Sequence, residues 1–128
     1  MDIIIKDILE PIFDKHRVLF AYLFGSTSQD NVQPSSDIDI AVFLPAGTGQ
    51  SYFDIKLSLY ADFCRALKRN DIDVIVLNTA TNLMLLDDIT RHGIIIYERD
   101  TDLREDFELK VLHQALDFKK QRLVVMGV

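Results

Sequence analysis

The stretch that decides the fold is "LFGSTSQDNVQPSSDIDIAVF", residues 23–43, in which a polar segment separates two apolar runs. The polar segment is rich in Gly, Ser, Asn, Asp and Pro, which is typical of a loop or a short capped turn. The second run opens with Asp37 and Asp39, two residues apart. Side chains alternate between the faces of a strand, so these carboxylates share one face, roughly 7 Å apart along the chain. The residues that face the core instead are Ile38, Ile40 and Val42.

Two carboxylates this close repel each other, and partial burial raises that cost or forces protonation. A divalent cation between them removes the cost, and Mg²⁺ prefers hard oxygen ligands of this kind. A later run, "NDIDVIVLN", repeats the spacing with Asp71 and Asp73. If the two strands are neighbours, Asp73 joins Asp37 and Asp39 in a triad. Three carboxylates can hold two metal ions about 3.5–4 Å apart, which assists nucleotidyl transfer. Asp71 by itself is equally consistent with a charge that keeps a strand edge from pairing with another chain.

The totals for the chain limit its class. At 128 residues, of which 48% are apolar, we expect one globular domain, 1–128. The net charge of −6 opposes nucleic-acid binding by the isolated chain. A single cysteine, Cys64, excludes an intrachain disulfide and favours a cytoplasmic protein. No apolar run has the roughly 18 residues of a membrane span, and no signal pattern opens the sequence, so we expect no membrane partner.

Apolar periodicity predicts eight elements in the order α-β-β-α-β-α-β-α. This order predicts an α/β (α+β) fold, with a mixed sheet of about four strands flanked by helices. The predicted helices cover residues 2–14, 52–69, 79–93 and 101–122, and the predicted strands cover 17–24, 37–44, 72–78 and 94–98.

Two helices carry further expectations. In the helix over 52–69, we expect an inward stripe of Phe53, Leu57, Tyr60, Phe63 or Cys64, and Leu67. In the last helix, we expect Thr101 or Asp102 near the N-terminal cap. Its apolar stripe is wide, and with the tail "LVVMGV" it fits a partner or self-association surface as well as a cap over the sheet.

The motif of Gly25-Ser26, ten residues, Asp37-Ile38-Asp39 and a later strand aspartate resembles the DNA polymerase beta-like nucleotidyltransferase superfamily. The short chain is most similar to minimal nucleotidyltransferases, many of which are antitoxins paired with a HEPN-domain RNase toxin. The resemblance implies the nucleotidyltransferase fold, ATP as substrate and two Mg²⁺ ions. It implies transfer of AMP to a tyrosine hydroxyl of the toxin, in a hetero-oligomer.

The resemblance also implies roles for residues. Gly25 lets the backbone approach the triphosphate, and Ser26 binds its β/γ end. Asp37 and Asp39 ligate both metals, and Asp73 ligates the catalytic metal and helps to deprotonate the attacking hydroxyl. Family members often carry an Arg and a Gly soon after Gly-Ser, whereas this sequence has "STSQDN". A phosphate-binding cation must then come from elsewhere, for which the candidates are Lys56, Arg65 and Lys68.

Two other functions remain open on the sequence. A small-molecule nucleotidyltransferase of the aminoglycoside type shares this core, but it usually adds a substrate domain for which 128 residues leave no room. A non-catalytic antitoxin would neutralise its partner by contact alone. The clustered carboxylates argue against that alternative, because unused like charges only reduce stability.

Overall fold

The computed structural model describes residues 2–25 and 37–125, with side chains described in 5–25 and 37–121. The helices and strands in these ranges follow the predicted order. They are α1 (Asp2–Lys15), β1 (Phe20–Phe24), β2 (Ile38–Phe43), α2 (Tyr52–Leu67), β3 (Ile72–Val76), α3 (Leu83–His92), β4 (Ile94–Glu98) and α4 (Thr101–Val125). No helix in the described ranges is long and apolar enough to cross a membrane.

The four strands form one mixed sheet in the order β3-β2-β1-β4. β1 pairs antiparallel with both β2 and β4, whereas β2 and β3 are parallel. The parallel pair requires a crossover between its strands, and α2 supplies it. The predicted α/β (α+β) class, a mixed four-strand sheet flanked by helices, is therefore confirmed. β3 and β4 form the two edges of the described sheet.

Helices cover both faces of the sheet. On the first face, residues of α1 and α2 such as Phe13 and Leu59 pack against Ile40 and Val42. On the second face, residues of α3 and α4 such as Val111 pack against β1 side chains. The predicted inward residues of β2 are confirmed, since Ile38, Ile40 and Val42 are all buried.

A polar contact adds to this packing by tying α4 to the centre of the sheet. Tyr22 of β1 is almost fully buried, and its hydroxyl donates a hydrogen bond to Glu108 at 2.7 Å. Arg104 binds Glu108 and also Glu98, at the end of β4. Burial, followed by the hydrogen bond to Glu108, raises the pKa of Tyr22. The tyrosine therefore stays a neutral donor, which is the form that this contact needs.

β1 begins later than predicted. The sequence predicts a strand from residue 17, but the first paired residue is Phe20. Arg17 has a φ of 55°, and its N–H donates to the carbonyl of Asp14. The N–H of Val18 donates to the carbonyl of Phe13. These hydrogen bonds, with Arg17 in the left-handed conformation, end α1. Residues 16–19 therefore form the connection between α1 and β1.

The predicted inward stripe of α2 is wrong for three residues. Phe53, Leu57 and Tyr60 are 64%, 50% and 38% exposed. The buried apolar residues of α2 are Ile55, Leu59 and Phe63. The error has a simple cause. α2 is apolar along two sides, each with helical spacing, and periodicity alone does not say which side meets the sheet.

The N-terminal cap of α4 is Asp100, the residue before Thr101. The Asp100 carboxylate accepts the N–H of Leu103 at 3.0 Å, and its carbonyl accepts the N–H of Arg104. The role of the last helix in covering the sheet is confirmed, and its role as a partner or self-association surface stays a prediction. Val111 and Ala115 are buried, whereas another side of the helix is exposed. The exposed residues are Leu109, Leu112, Leu116 and Phe118. The side chains of "LVVMGV" lie outside the described residues.

The cap assignment gives a stability test. Asp100→Ala removes the acceptor for the Leu103 N–H and is expected to cost about 1 kcal/mol of unfolding free energy. Thr101→Ala is the matched control, and it should change stability by less than about 0.5 kcal/mol. Urea unfolding followed by circular dichroism measures both. Equal losses in the two variants would contradict the assignment of Asp100.

Candidate active site

The antiparallel pairing of β1 with β2 builds the first part of the site. In its register Phe24 lies opposite Asp39, so Gly25 emerges from β1 beside the Asp39 carboxylate. Gly25 has a φ of 75°, which favours glycine. A Cβ at this position would lie 2.4 Å from Oδ2 of Asp39. Glycine is thus required here both by the backbone conformation and by the approach of the carboxylate.

The parallel pairing of β2 with β3 supplies the second part. Its register places Asp39 directly opposite Asp73. Neighbouring strands lie about 4.8 Å apart, so these two carboxylates face each other on one surface of the sheet. Asp37 immediately precedes β2 and is exposed. The structure therefore brings the three predicted aspartates to one end of the β2–β3 pair. Ser26 lies outside the described residues.

The charges of this group act on one another. Partial burial raises the pKa of Asp39, and the charges of Asp73 and then Asp37 raise it further. Asp73 is exposed, although it lies within β3, and Asp71 at the strand entrance is half-buried. A cation bound beside Asp39 would therefore relieve the repulsion that acts on its carboxylate.

The donor set fits Mg²⁺ in its chemistry. Mg²⁺ in proteins takes one or two carboxylates and completes its shell with water and substrate phosphates. The opposed pair of Asp39 and Asp73 offers such ligands. Within residues 2–25 and 37–125, no group of three or more His, Cys, Asp or Glu side chains is arranged to hold a metal ion. The role of all three aspartates as ligands of two ions stays a prediction.

A cation that the sequence reasoning missed lies beside this group. Nε and Nη2 of Arg69 donate to the two carboxylate oxygens of Asp71, at 2.6 Å and 2.5 Å. The hydrogen bond to Asp71 raises the pKa of Arg69, and the charge of Asp37 also contributes. Arg69 is therefore close enough to Asp37 to interact with it. The only sequence signal was an arginine two residues before an aspartate at a strand entrance.

The three predicted phosphate-binding cations lie on α2 or at its C-cap. Arg65 binds Asp62, which also accepts hydrogen bonds from Lys15 and His16. Lys68 is the C-cap of α2, with a φ of 55°. Lys56 lines a cavity that also includes residues at the far end of β3. None of the three is among the charges that shift the pKa of Asp39.

Comparison with known proteins agrees with this geometry. The family model for polymerase beta nucleotidyltransferases matches residues 7–102, well over half of the chain. The chain belongs to this family and is a nucleotidyltransferase. The matched residues include Gly25-Ser26, Asp37-Ile38-Asp39 and Asp73. No curated protein sequence matches the chain.

Several solved structures share the fold. A structure of the toxin-antitoxin MntA-HepT matches with a TM-score of 0.71 and 21% identity, over 97% of this chain and 95% of that one. A mutant of that toxin-antitoxin gives 0.74 and 22%, over 95% of each chain. A toxin-antitoxin structure with AMP-PNP gives 0.77 and 23%, also over 95% of each chain. At these identities the likeness shows the fold.

The contact between Gly25 and Asp39 is testable with two alanine variants. Gly47→Ala has a similar φ of 72° but nothing within 4 Å of the added Cβ. This variant should lower the free energy of unfolding only by the cost of placing alanine in the left-handed conformation, about 1–2 kcal/mol. Gly25→Ala should cost clearly more, because the Cβ also displaces the Asp39 carboxylate. Urea unfolding measures the difference, and equal costs would contradict the contact.

The raised pKa of Asp39 predicts a pH-dependent stability. A carboxyl whose folded pKa exceeds the unfolded value stabilises the fold fully below the unfolded pKa, and this contribution is lost as the pH rises through the folded pKa. Without divalent cations, Asp39→Asn should therefore raise the Tm near neutral pH. The gain should vanish as the pH falls to about 3.9, the ordinary aspartate value.

Asp71→Asn is the matched control for this pH series. The hydrogen bonds from Arg69 hold the pKa of Asp71 below its usual range. A carboxyl whose pKa is lowered in the folded state stabilises the fold above its unfolded pKa. This stabilisation is lost as the pH falls through the folded pKa. Asp71→Asn should therefore lower the Tm near neutral pH, and its deficit should close in acid. Thermal unfolding across the pH range measures the Tm of both variants. Changes in Tm of the same sign in the two variants would contradict the opposite pKa shifts of Asp39 and Asp71.

Proposed function

We propose that this chain is an Mg²⁺-dependent nucleotidyltransferase that transfers AMP from ATP to a hydroxyl, most simply a tyrosine, of a HEPN-domain RNase toxin. It would act as the antitoxin of that toxin in a cytoplasmic hetero-oligomer. The observation that carries the proposal is the opposed pair of Asp39 and Asp73, with Asp37 at the head of β2, in a chain of the polymerase beta nucleotidyltransferase family. The toxin-antitoxin structures of the same fold support it, one of them solved with the ATP analogue AMP-PNP.

In this proposal, the three carboxylates hold the metal ions, and the metal ions hold the phosphates of the incoming nucleotide. Asp37, Asp39 and Asp73 ligate Mg²⁺, and the bound ions supply charge stabilisation at the attacking and leaving oxygens. Asp37 and Asp39 would ligate both ions, and Asp39 faces Asp73 and also lies against the backbone of Gly25. The Gly25-Ser26 segment follows directly from β1, so it is placed to approach the triphosphate beside the metal ligands.

The reaction itself is an in-line displacement. The hydroxyl oxygen of the acceptor forms a bond to the α-phosphorus of ATP while the bond to the bridging α–β oxygen breaks. Pyrophosphate leaves with that electron pair. Asp73, the most accessible carboxylate of the opposed pair, accepts the proton from the attacking hydroxyl. Arg69 interacts electrostatically with Asp37, and it can offset the charge there when a phosphate approaches.

One observation favours a second function, a non-catalytic antitoxin. α2 and α4 both expose large apolar side chains, which a contact inhibitor needs as well. The two functions differ in one measurable property, which is a covalent change on the partner. The same measurement also addresses a small-molecule acceptor, because a chain of that kind would leave the partner unmodified and uninhibited.

The test is intact-protein mass spectrometry. The chain is mixed with Mg-ATP and the product of its neighbouring gene, beside Asp39→Asn and Asp73→Asn. We expect AMP units on the partner with the wild-type chain, and transfer rates at least about 100-fold lower with either variant, since each removes an electrostatic group at the reacting centre. Asp71→Asn, at the entrance to the strand that carries Asp73, is the matched control and should retain most of the activity.

The outcomes separate the functions. An unmodified partner whose RNase is still inhibited would show the non-catalytic antitoxin. An unmodified and uninhibited partner would favour the small-molecule enzyme. Loss of transfer in Asp71→Asn equal to that in Asp39→Asn would contradict the choice of Asp73 rather than Asp71 as the third carboxylate.

A further inference from the structure

A row of large apolar side chains lies on an exposed side of α2. Phe53, Leu57 and Tyr60 follow the spacing i, i+4, i+7, so they lie along one side of the helix. All three are exposed, Phe53 most of all. We call these three residues the outer stripe. A row of this kind is the ridge that packs into the groove of another helix.

The outer stripe runs beside the edge strand β3. Phe53 and Lys56 share a cavity of about 410 Å³ with Ile75, Val76 and Thr79, at the C-terminal end of β3. At the other end, the Tyr60 hydroxyl donates a hydrogen bond to the carbonyl of Asn70, just before β3 begins. The two ends of the stripe therefore lie beside the two ends of β3.

β3 is also the strand that carries Asp73. It pairs only with β2 in the described sheet, so its other edge is not covered by a strand there. The end of the stripe at Tyr60 lies nearest the candidate active site, because Asn70 is three residues before Asp73. A protein that packs on the stripe and reaches around this edge meets the catalytic carboxylates directly.

The charges at that end indicate the chemistry of the partner. Asp37, Asp39 and Asp73 form an acidic group, while Asp71 is neutralised by Arg69. The chain as a whole carries a net charge of −6. A ribonuclease must present positive charge where it binds the RNA backbone. Its RNA-binding surface is therefore complementary to the acidic end of the stripe.

We propose that the outer stripe and the β3 edge are the docking face for the RNase partner. An apolar helix face of the partner packs on Phe53, Leu57 and Tyr60, with one side chain in the cavity beside Val76. Its basic RNA-binding surface then lies over the acidic group, which brings an acceptor hydroxyl on that surface to Asp73. The inference rests on the proposed function for the identity of the partner, and it adds where and in which orientation the partner binds.

The competing surface is the exposed side of α4, which includes Leu109, Leu112 and Leu116. Among the α4 residues with described side chains, 101–121, none lines the cavity beside β3. α4 therefore provides a matched control: Leu57 and Leu112 are both exposed leucines on helices, at 50% and 41%. Leu57→Glu and Leu112→Glu place the same charge on the two surfaces, and neither side chain belongs to the core.

The experiment measures binding of each variant to the purified product of the adjacent gene by calorimetry, and AMP transfer by mass spectrometry. Mg-ATP binding and the Tm of each variant serve as folding controls. We expect Leu57→Glu to weaken partner binding by at least about 30-fold, as for a central interface residue, and to lower transfer in proportion. Leu57→Ala should weaken it in the same direction but less. Leu112→Glu should bind and transfer as the wild type does.

Each other outcome overturns the inference. Normal binding by Leu57→Glu, or a larger loss in Leu112→Glu, places the partner elsewhere. A dimer of the isolated chain that Leu57→Glu dissociates assigns the stripe to a second copy of this chain. Failure of the proposed function is distinguishable, because the wild type would then transfer no AMP while stripe-dependent binding persisted. Transfer that Leu57→Glu leaves unchanged refutes the docking face alone.

Discussion

The candidate active site depends on one close approach, that of the Asp39 carboxylate to the backbone of Gly25. The pairing of β1 with β2 imposes it, because Phe24 lies opposite Asp39 and the next residue must leave room for the carboxylate. The same strand places Asp39 opposite Asp73. Backbone pairing in the sheet, fixed by the buried alternate residues of β2, therefore holds like charges together. The apolar core on both faces of the sheet offsets their repulsion.

Much of this arrangement was predictable because a strand has a strict period of two. Once Ile38, Ile40 and Val42 are assigned to the core, Asp37 and Asp39 must share the opposite surface. The third carboxylate followed from a repeated spacing, and the parallel register confirmed that Asp39 and Asp73 are neighbours. The order of elements followed equally from apolar periodicity. What these successes share is that each rests on local spacing along the chain.

The errors arose where the answer depends on three-dimensional contacts. α2 is apolar on two sides, so its sequence does not say that Leu59 is buried and Leu57 is exposed. The contacts of Arg69 depend on the segment between α2 and β3, which brings its guanidinium onto Asp71 and near Asp37. The space beside Gly25 is likewise filled by a side chain from another strand. The glycine was predicted for a nucleotide contact, whereas the structure gives it a second reason to be glycine.

The edge of β3 that no described strand covers has a consequence for how copies of this chain meet one another. An uncovered strand edge beside exposed apolar side chains is a template for pairing between copies, the usual start of aggregation. The charge of Asp73 on this short strand opposes that pairing. A chain whose β3 edge is uncovered would rely on this charge to remain dispersed, while a chain whose edge is covered would not need it. The same aspartate would thus serve colloidal stability before the edge is covered and the candidate site afterwards.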